Sequence, residues 1–181
     1  MDDAQADAER RSTFRVRAGL DDDLPFLREM LYEAAYWRPE VPRPPLTEVL
    51  YDPAIAKYIE GWGRKGDAAV IAMDSKGERR IGAAWYRLMP KEDPGYGFVD
   101  AQTPEVGVGV SPERRGEGVG GRLLRELLQK ASDEGYGAVS LSVEKDNPAL
   151  RLYERCGFEK LFLHDDAWTM RVILEDREER P

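Results

Sequence analysis

Val106-Gly107-Val108-Gly109-Val110-Ser111-Pro112-Glu113-Arg114-Arg115-Gly116-Glu117-Gly118-Val119-Gly120-Gly121 is the stretch on which the reading of this chain turns. Valine and glycine alternate through Val110, which suits a strand. A glycine-rich loop follows and opens an amphipathic segment over 118–134, with Val119, Leu123, Leu124, Leu127, Leu128 and Ala131 on one face. At such a junction the first N–H groups of the helix lack intrahelical acceptors and sit at the positive end of its dipole. Glycine lets an anion approach with no Cβ in the way, and Arg115 adds charge beside it. If Gly118, Gly120 and Gly121 were only tolerated in a helix start, each would cost about 1 kcal/mol relative to alanine. The segment therefore reads as a pyrophosphate site.

The same glycines admit a second ligand. Gly116, Gly118 and Gly121 satisfy G-x-G-x-x-G, the spacing of a dinucleotide site. That motif follows its strand almost at once, whereas Ser111 to Arg115 intervene here. It also sits late in the chain, and no Gly-Lys-Ser/Thr is present. A nicotinamide-dependent oxidoreductase is the weaker reading.

Outward from this centre the elements fall into order. Phe14-Arg15-Val16-Arg17 alternates as a first strand. Asp21 to Asp23 offer caps for a helix with Pro25 in its first turn and Leu24, Leu27, Leu31 and Ala34 at helical spacing. It should stop near Trp37, because Pro39, Pro42, Pro44 and Pro45 forbid continuation. Pro53 to Glu60 predicts a second short helix. Ala68 to Met73 and Arg80 to Tyr86 predict strands joined by the turn Asp74-Ser75-Lys76-Gly77. Past the amphipathic helix, Val139, Leu141 and Val143 mark a fifth strand and Asn147 to Cys156 a helix. Two more strands are expected near 158–163 and 168–173. The fold class is α/β (α+β), a mixed sheet of about seven strands flanked by about four helices. One domain is expected over 14–174, between polar solvated tails at 1–13 and 175–181.

The quoted stretch closely resembles motif A of the GNAT superfamily of N-acetyltransferases, Q/R-x-x-G-x-G/A, which Arg115, Gly118 and Gly120 meet. Asn147-Pro148-Ala149-Leu150-Arg151-Leu152-Tyr153-Glu154-Arg155-Cys156-Gly157-Phe158 resembles the family's motif B, which ends in a tyrosine and then Gly-Phe. The resemblance is specific from Glu105 to Phe158 and elsewhere rests on the order of elements. It implies a mostly antiparallel sheet whose two central parallel strands splay, with the pantetheine of acetyl-CoA in the gap. It implies direct acetyl transfer to an amine in a ternary complex, with no metal. On that resemblance the cofactor contacts come from Val108, Gly109 and Val110, from Arg115, Gly116, Glu117, Gly118, Val119, Gly120 and Gly121, and from Asn147. Glu105 would take the amine's proton and Tyr153 would protonate the leaving thiolate.

The residues also allow plainer readings. Val108 and Val110 suit a core. Asn147 before Pro148 looks like an N-cap with proline at N1. Glu105 could be an exposed residue after Pro104, with Glu92, Asp93 and Asp100 as alternative bases. Tyr153 shares an apolar helix face with Ala149, Leu152 and Cys156 and could be a core aromatic. His164, the only histidine, reads as a loop residue, and Cys156 as a buried thiol. The proline-rich segments 37–45 and 89–104, with Tyr36, Trp37, Tyr96 and Phe98 in or beside them, are the expected acceptor side.

Composition narrows the classes further. A formal net charge of −8 disfavours nonspecific attachment to nucleic acid or anionic membranes. The single cysteine allows no internal disulfide, and a cytoplasmic setting is expected. The polar start Met1-Asp2-Asp3-Ala4 is unlike a secretory signal, and no run approaches the roughly 20 apolar residues that span a bilayer. Exposed edge strands could pair two copies into a homodimer. The alternative to an enzyme is an acyl-CoA-binding module or sensor without transfer activity.

Overall fold

Alternation along the strands builds two cores, one on each face of a single sheet. In β2 (Ala68–Asp74) the even positions Ala68, Val70 and Ala72 enter one core, and Ala69, Ile71 and Met73 enter the other. The computed structural model describes residues 14–174, so the predicted tails at 1–13 and 175–181 lie outside the described residues. The remaining strands are β1 (Phe14–Ala18), β3 (Arg80–Arg87), β4 (Glu105–Val110), β5 (Ala138–Glu144), β6 (Glu159–His164) and β7 (Ala167–Ile173). They form a seven-stranded sheet in the order β1-β2-β3-β4-β5-β7-β6. Every pairing is antiparallel except β4 with β5.

Five α-helices flank the sheet among the described residues: α1 (Leu24–Ala35), α2 (Leu46–Tyr51), α3 (Pro53–Ala56), α4 (Val119–Asp133) and α5 (Leu150–Arg155). This is one more than the sequence suggested. Helix α2 follows directly after the prolines and buries Val49 alone, so it carries almost no periodic signal. Helix α4 lays Leu123, Leu124 and Leu127, all fully buried, on Val70, Ala84, Val106, Val139 and Leu141. Each such leucine stabilises the fold by roughly 1.5–3 kcal/mol. Helix α1 covers the opposite face, packing Phe26, Leu27 and Met30 on Ile71, Ala83 and Trp85. The first helix has Pro25 in its first turn and ends at Ala35, close to the expected stop, but Asp23 at its N-cap makes no side-chain cap bond.

Buried charge ties the edges to this frame. Asp23, wholly buried, accepts from Arg17 at 2.6 and 2.8 Å, from Arg80 at 2.6 Å and from the Leu20 N–H at 2.8 Å. Burial pushes its pKa up, but these donors together hold it well below the usual carboxylate range. Arg87, on β3, is equally buried; it donates to Asp67 at 2.6 and 2.8 Å and to the carbonyls of Lys57 and Glu60 at 2.8 Å.

Candidate active site

The two parallel strands meet at one point. Glu105 lies in register with Ser140, and the Ser140 N–H donates to the Pro104 carbonyl at 3.0 Å. No other pair joins β4 to β5 among the described residues. The neighbouring ladder shows which groups this leaves over. The Ser111 N–H donates to the Ile81 carbonyl at 3.0 Å, so odd-numbered backbone groups on β4 face β3. Past the bridge at Glu105, the N–H and C=O of Val108 and Val110 therefore face β5 across the gap. By the same alternation Ser142 turns its own toward β4, while the Glu144 carbonyl accepts the Asn147 N–H at 3.0 Å. These are strand-edge groups in the middle of a sheet, suited to an extended ligand carrying amides of its own. The side chains of Val108 and Val110 meanwhile pack against the α4-side core, as the plainer reading of these valines expects.

Glycine along β4 serves the other face. A Cβ on Gly107 would lie 2.4 Å from Trp85 Cζ2, and one on Gly109 would lie 2.3 Å from the Met30 carbonyl oxygen. Only glycine lets α1 and the indole approach so closely. Gly109 is thus also a packing residue.

At the far end of β4 a 3₁₀ turn, Pro112–Arg114, leads to the loop. Gly116 and Gly118 have φ of 82° and 83°, and nothing lies within 4 Å of a Cβ built on either. They are glycine for conformation, and their outer side is open. Gly118 caps α4 with no side-chain bond, and the first helix-closing bond runs from the Arg122 N–H to the Gly118 carbonyl at 3.1 Å. The N–H groups of Val119, Gly120 and Gly121 thus emerge at the helix start with no intrahelical acceptor. A Cβ on Gly120 would make an ordinary contact with the Leu152 side chain of α5 at 3.4 Å, and one on Gly121 a tighter contact at 3.2 Å. The charged members of the loop are already paired. Arg115 donates to Glu33 on α1 at 2.8 Å and to the Val110 carbonyl at 3.3 Å, while Arg114 donates to Glu117 at 2.8 Å.

Glu105 is not an exposed residue; it is 2% exposed. Its Oε1 accepts from the Tyr58 hydroxyl at 2.6 Å and from the Gly97 N–H at 2.8 Å. Its Oε2 has no hydrogen-bond partner. Burial raises its pKa against the two donors, which pull it down. A carboxylate so placed is a stronger proton acceptor than one in water. Two further buried polar atoms lack partners, Trp85 Nε1 on β3 and Ser140 Oγ on β5, each on a strand adjoining Glu105.

Tyr153 is half-buried on α5 and packs edge-to-face on Phe158, with ring centroids 5.9 Å apart. Burial pushes its phenol up to about 12, with Cys156 adding to the shift. Helix α5 leans on the α4-side core, whereas Tyr58 and Trp85 belong to the α1-side core, so Tyr153 and Glu105 flank the sheet from opposite faces. Asn147 accepts the Ala149 N–H on Oδ1 at 2.9 Å, which shapes the turn into α5. Among the alternative bases, Asp93 pairs with Lys57, Asp100 accepts from the N–H groups of Gln102 and Thr103, and Glu92 is exposed. His164 is exposed, and burial pushes the Cys156 thiol up. Among the described residues no three His, Cys, Asp or Glu gather into a metal-ligand set.

The segment after α1 is fastened to both limbs of the gap. Arg38 donates to Glu144 at the end of β5 and to Asp146 just beyond it, at 2.5–3.1 Å. Arg43 donates to Glu33 at 2.7 Å, and Glu33 holds Arg115. The Tyr32 hydroxyl donates to the Pro44 carbonyl at 2.8 Å. Sequence reasoning missed Tyr58, Arg38 and Glu33, which act over long chain separations, and Gly97, which reaches Glu105 from eight residues away through its backbone alone; none carries a local motif.

The sequence pattern of the Acetyltransferase (GNAT) family matches residues 28–158. A mycothiol acetyltransferase from Rhodococcus jostii (strain RHA1) is 32% identical over 164 residues, covering 88% of this chain and 49% of its own length. The chain spans about half the length of these curated relatives. Solved structures with the same fold include a phosphinothricin acetyltransferase from Sinorhizobium meliloti in complex with acetyl-CoA. Its TM-score is 0.66 at 23% identity, and the match covers 93% of each chain. A ribosomal-protein-alanine N-acetyltransferase from Brucella melitensis gives a TM-score of 0.64 at 22% identity, over 88% of this chain and 99% of the other. No described helix is long and apolar enough to cross a membrane.

Proposed function

Because this chain belongs to the Acetyltransferase (GNAT) family, we propose that it moves an acetyl group from acetyl-CoA to a primary amine of a small molecule or peptide. Transfer occurs by direct attack in a ternary complex. The observation that carries this reading is the gap between β4 and β5, lined by unladdered backbone groups and ending at the open start of α4.

In this reading the N–H groups from Gly116 to Gly121 take the pyrophosphate of acetyl-CoA, and Arg115 supplies charge. The backbone of Val108 and Val110 pairs with the pantetheine amides, and an N–H of β4 polarises the thioester carbonyl where negative charge develops. An amine attacks only when unprotonated, so Glu105 takes its proton, directly or through water, on the partnerless Oε2. Tyr153 gives a proton to the departing sulfur. Burial pushes its phenol up, so it carries its hydrogen at neutral pH, and the growing charge on the sulfur must draw that hydrogen across. Asn147 acts by fixing the turn that carries Tyr153's helix.

The acceptor enters on the α1 side, between segments 37–45 and 89–104. The name of the curated relatives puts mycothiol-related amines first among the acceptors to be tried. The enzyme works in a reducing, cytoplasmic setting, and a homodimer would form through β6, an edge strand exposing Phe162 and Leu163. Calorimetric titration with acetyl-CoA, followed by thiol release across an amine panel, tests the reading. Binding without release for any amine would point to a sensor, and absence of binding would remove the cofactor assignment.

A further inference from the structure

We propose that Tyr58 is a positioning residue that decides which oxygen of Glu105 receives the proton and locks the acceptor loop to that oxygen's neighbour. The inference rests on the reading of Glu105 as the base. The Tyr96 N–H donates to the Tyr58 hydroxyl at 2.8 Å. A backbone N–H can only donate, so the phenol accepts there and its own hydrogen is free to go to Glu105 Oε1, 2.6 Å away. The Gly97 N–H reaches the same oxygen at 2.8 Å. Oε1 is thereby filled by two donors, and any proton on this carboxyl sits on Oε2. One hydroxyl thus reads the position of the loop at Tyr96 and transmits it to the base.

The surroundings leave this task to Tyr58. Arg87, in register with Glu105 on β3, is spent on Asp67, and Lys57, the cation acting on Glu105 from the α3 side, is spent on Asp93. From β5 the neighbour is the uncharged Ser140. Among these groups the Tyr58 hydroxyl and the Gly97 N–H are the donors that favour the ionised form, and burial opposes them.

The test is the titration of Glu105 in Tyr58→Phe, which keeps the ring and removes the donor. Carboxyl carbons of ¹³C-glutamate-labelled protein are followed by NMR, with the Glu105 signal assigned by its loss in Glu105→Gln. A charged hydrogen bond of this kind accounts for about one pH unit, so the Glu105 midpoint should rise by about one unit. The acid limb of kcat/KM for the amine should rise with it, while acetyl-CoA affinity stays unchanged. Should Tyr58→Phe fold poorly, site-specific 3,5-difluorotyrosine at position 58 donates more strongly and should move the midpoint down instead. An unmoved midpoint in the folded variant overturns the proposal, whatever the enzyme's activity. A midpoint that moves in a protein that acetylates no amine would instead overturn the transferase reading and leave the Tyr58–Glu105 linkage standing.

Discussion

Arg115→Ala should weaken acetyl-CoA less than a free arginine would predict, because its guanidinium is already engaged by Glu33. A hydrogen bond to a charged group contributes about 1.5–3 kcal/mol. Arg115 is 40% exposed, so its pair with Glu33 belongs among surface ion pairs, worth about 0.2–1 kcal/mol. That much must be surrendered or shared when a phosphate arrives. The net loss in Arg115→Ala should then be about 1–2 kcal/mol, or roughly 5- to 30-fold in Kd. The companion change Glu33→Gln releases the arginine and should tighten binding about two- to fivefold. Isothermal calorimetry at fixed ionic strength measures both, since salt screens the pair. Dephospho-acetyl-CoA should suffer the same loss in Arg115→Ala, and full rescue would place the arginine on the 3′-phosphate. Weaker binding in Glu33→Gln would refute the competition, showing that Glu33 holds Arg115 in place for the ligand.

Tyr153→Phe should lower kcat about 10²-fold with little change in acetyl-CoA affinity; retention of more than about half the wild-type kcat would end the acid assignment. Gly95→Ala should lower kcat while sparing cofactor binding, because the added Cβ would sit 2.0 Å from Glu105 Oε2 and 2.9 Å from the Tyr58 oxygen. A crystal structure of that variant with the carboxylate unmoved would refute the argument. Asp23→Asn leaves Arg17 and Arg80 without their carboxylate; both are about a third exposed, so the cost should fall below the range for a fully buried pair, at about 2–3 kcal/mol in urea unfolding at neutral pH. Asp23 titrates lower in the folded chain than its unfolded value of 3.8, so its stabilisation is complete above that value and fades as pH falls below it. The deficit of the variant should shrink accordingly in acid, and a deficit constant down to pH 2 would contradict the assignment.

What could be read from the chain was local. The glycine loop, the apolar stripe of α4 and the alternation of β2 to β5 each carry their signal within a few residues, and each was found where expected. Helix α2 was missed because Leu46–Tyr51 is shorter than two turns and follows two prolines. The helix expected over Pro53 to Glu60 is regular only to Ala56 and continues to Glu60 as hydrogen-bonded turns, on which Tyr58 sits. The burial of Glu105 was beyond the sequence, since Tyr58 lies 47 residues away and nothing local shows that the loop at Gly95 to Gly97 folds back over the carboxylate. Arg115 was recognisable as a charge at the loop, but not as one held by Glu33, which lies 82 residues away.

The single registered pair between β4 and β5 divides the sheet into two blocks that share a helix but almost no ladder. A ligand seated there, as proposed, would complete the sheet as a guest strand, and its binding energy would add to that of the fold by mass action. At a hundred times Kd this amounts to about 2.7 kcal/mol, enough to cut the unfolded fraction roughly a hundredfold. Susceptibility to proteolysis, which follows the open population, would then vary with the supply of that ligand.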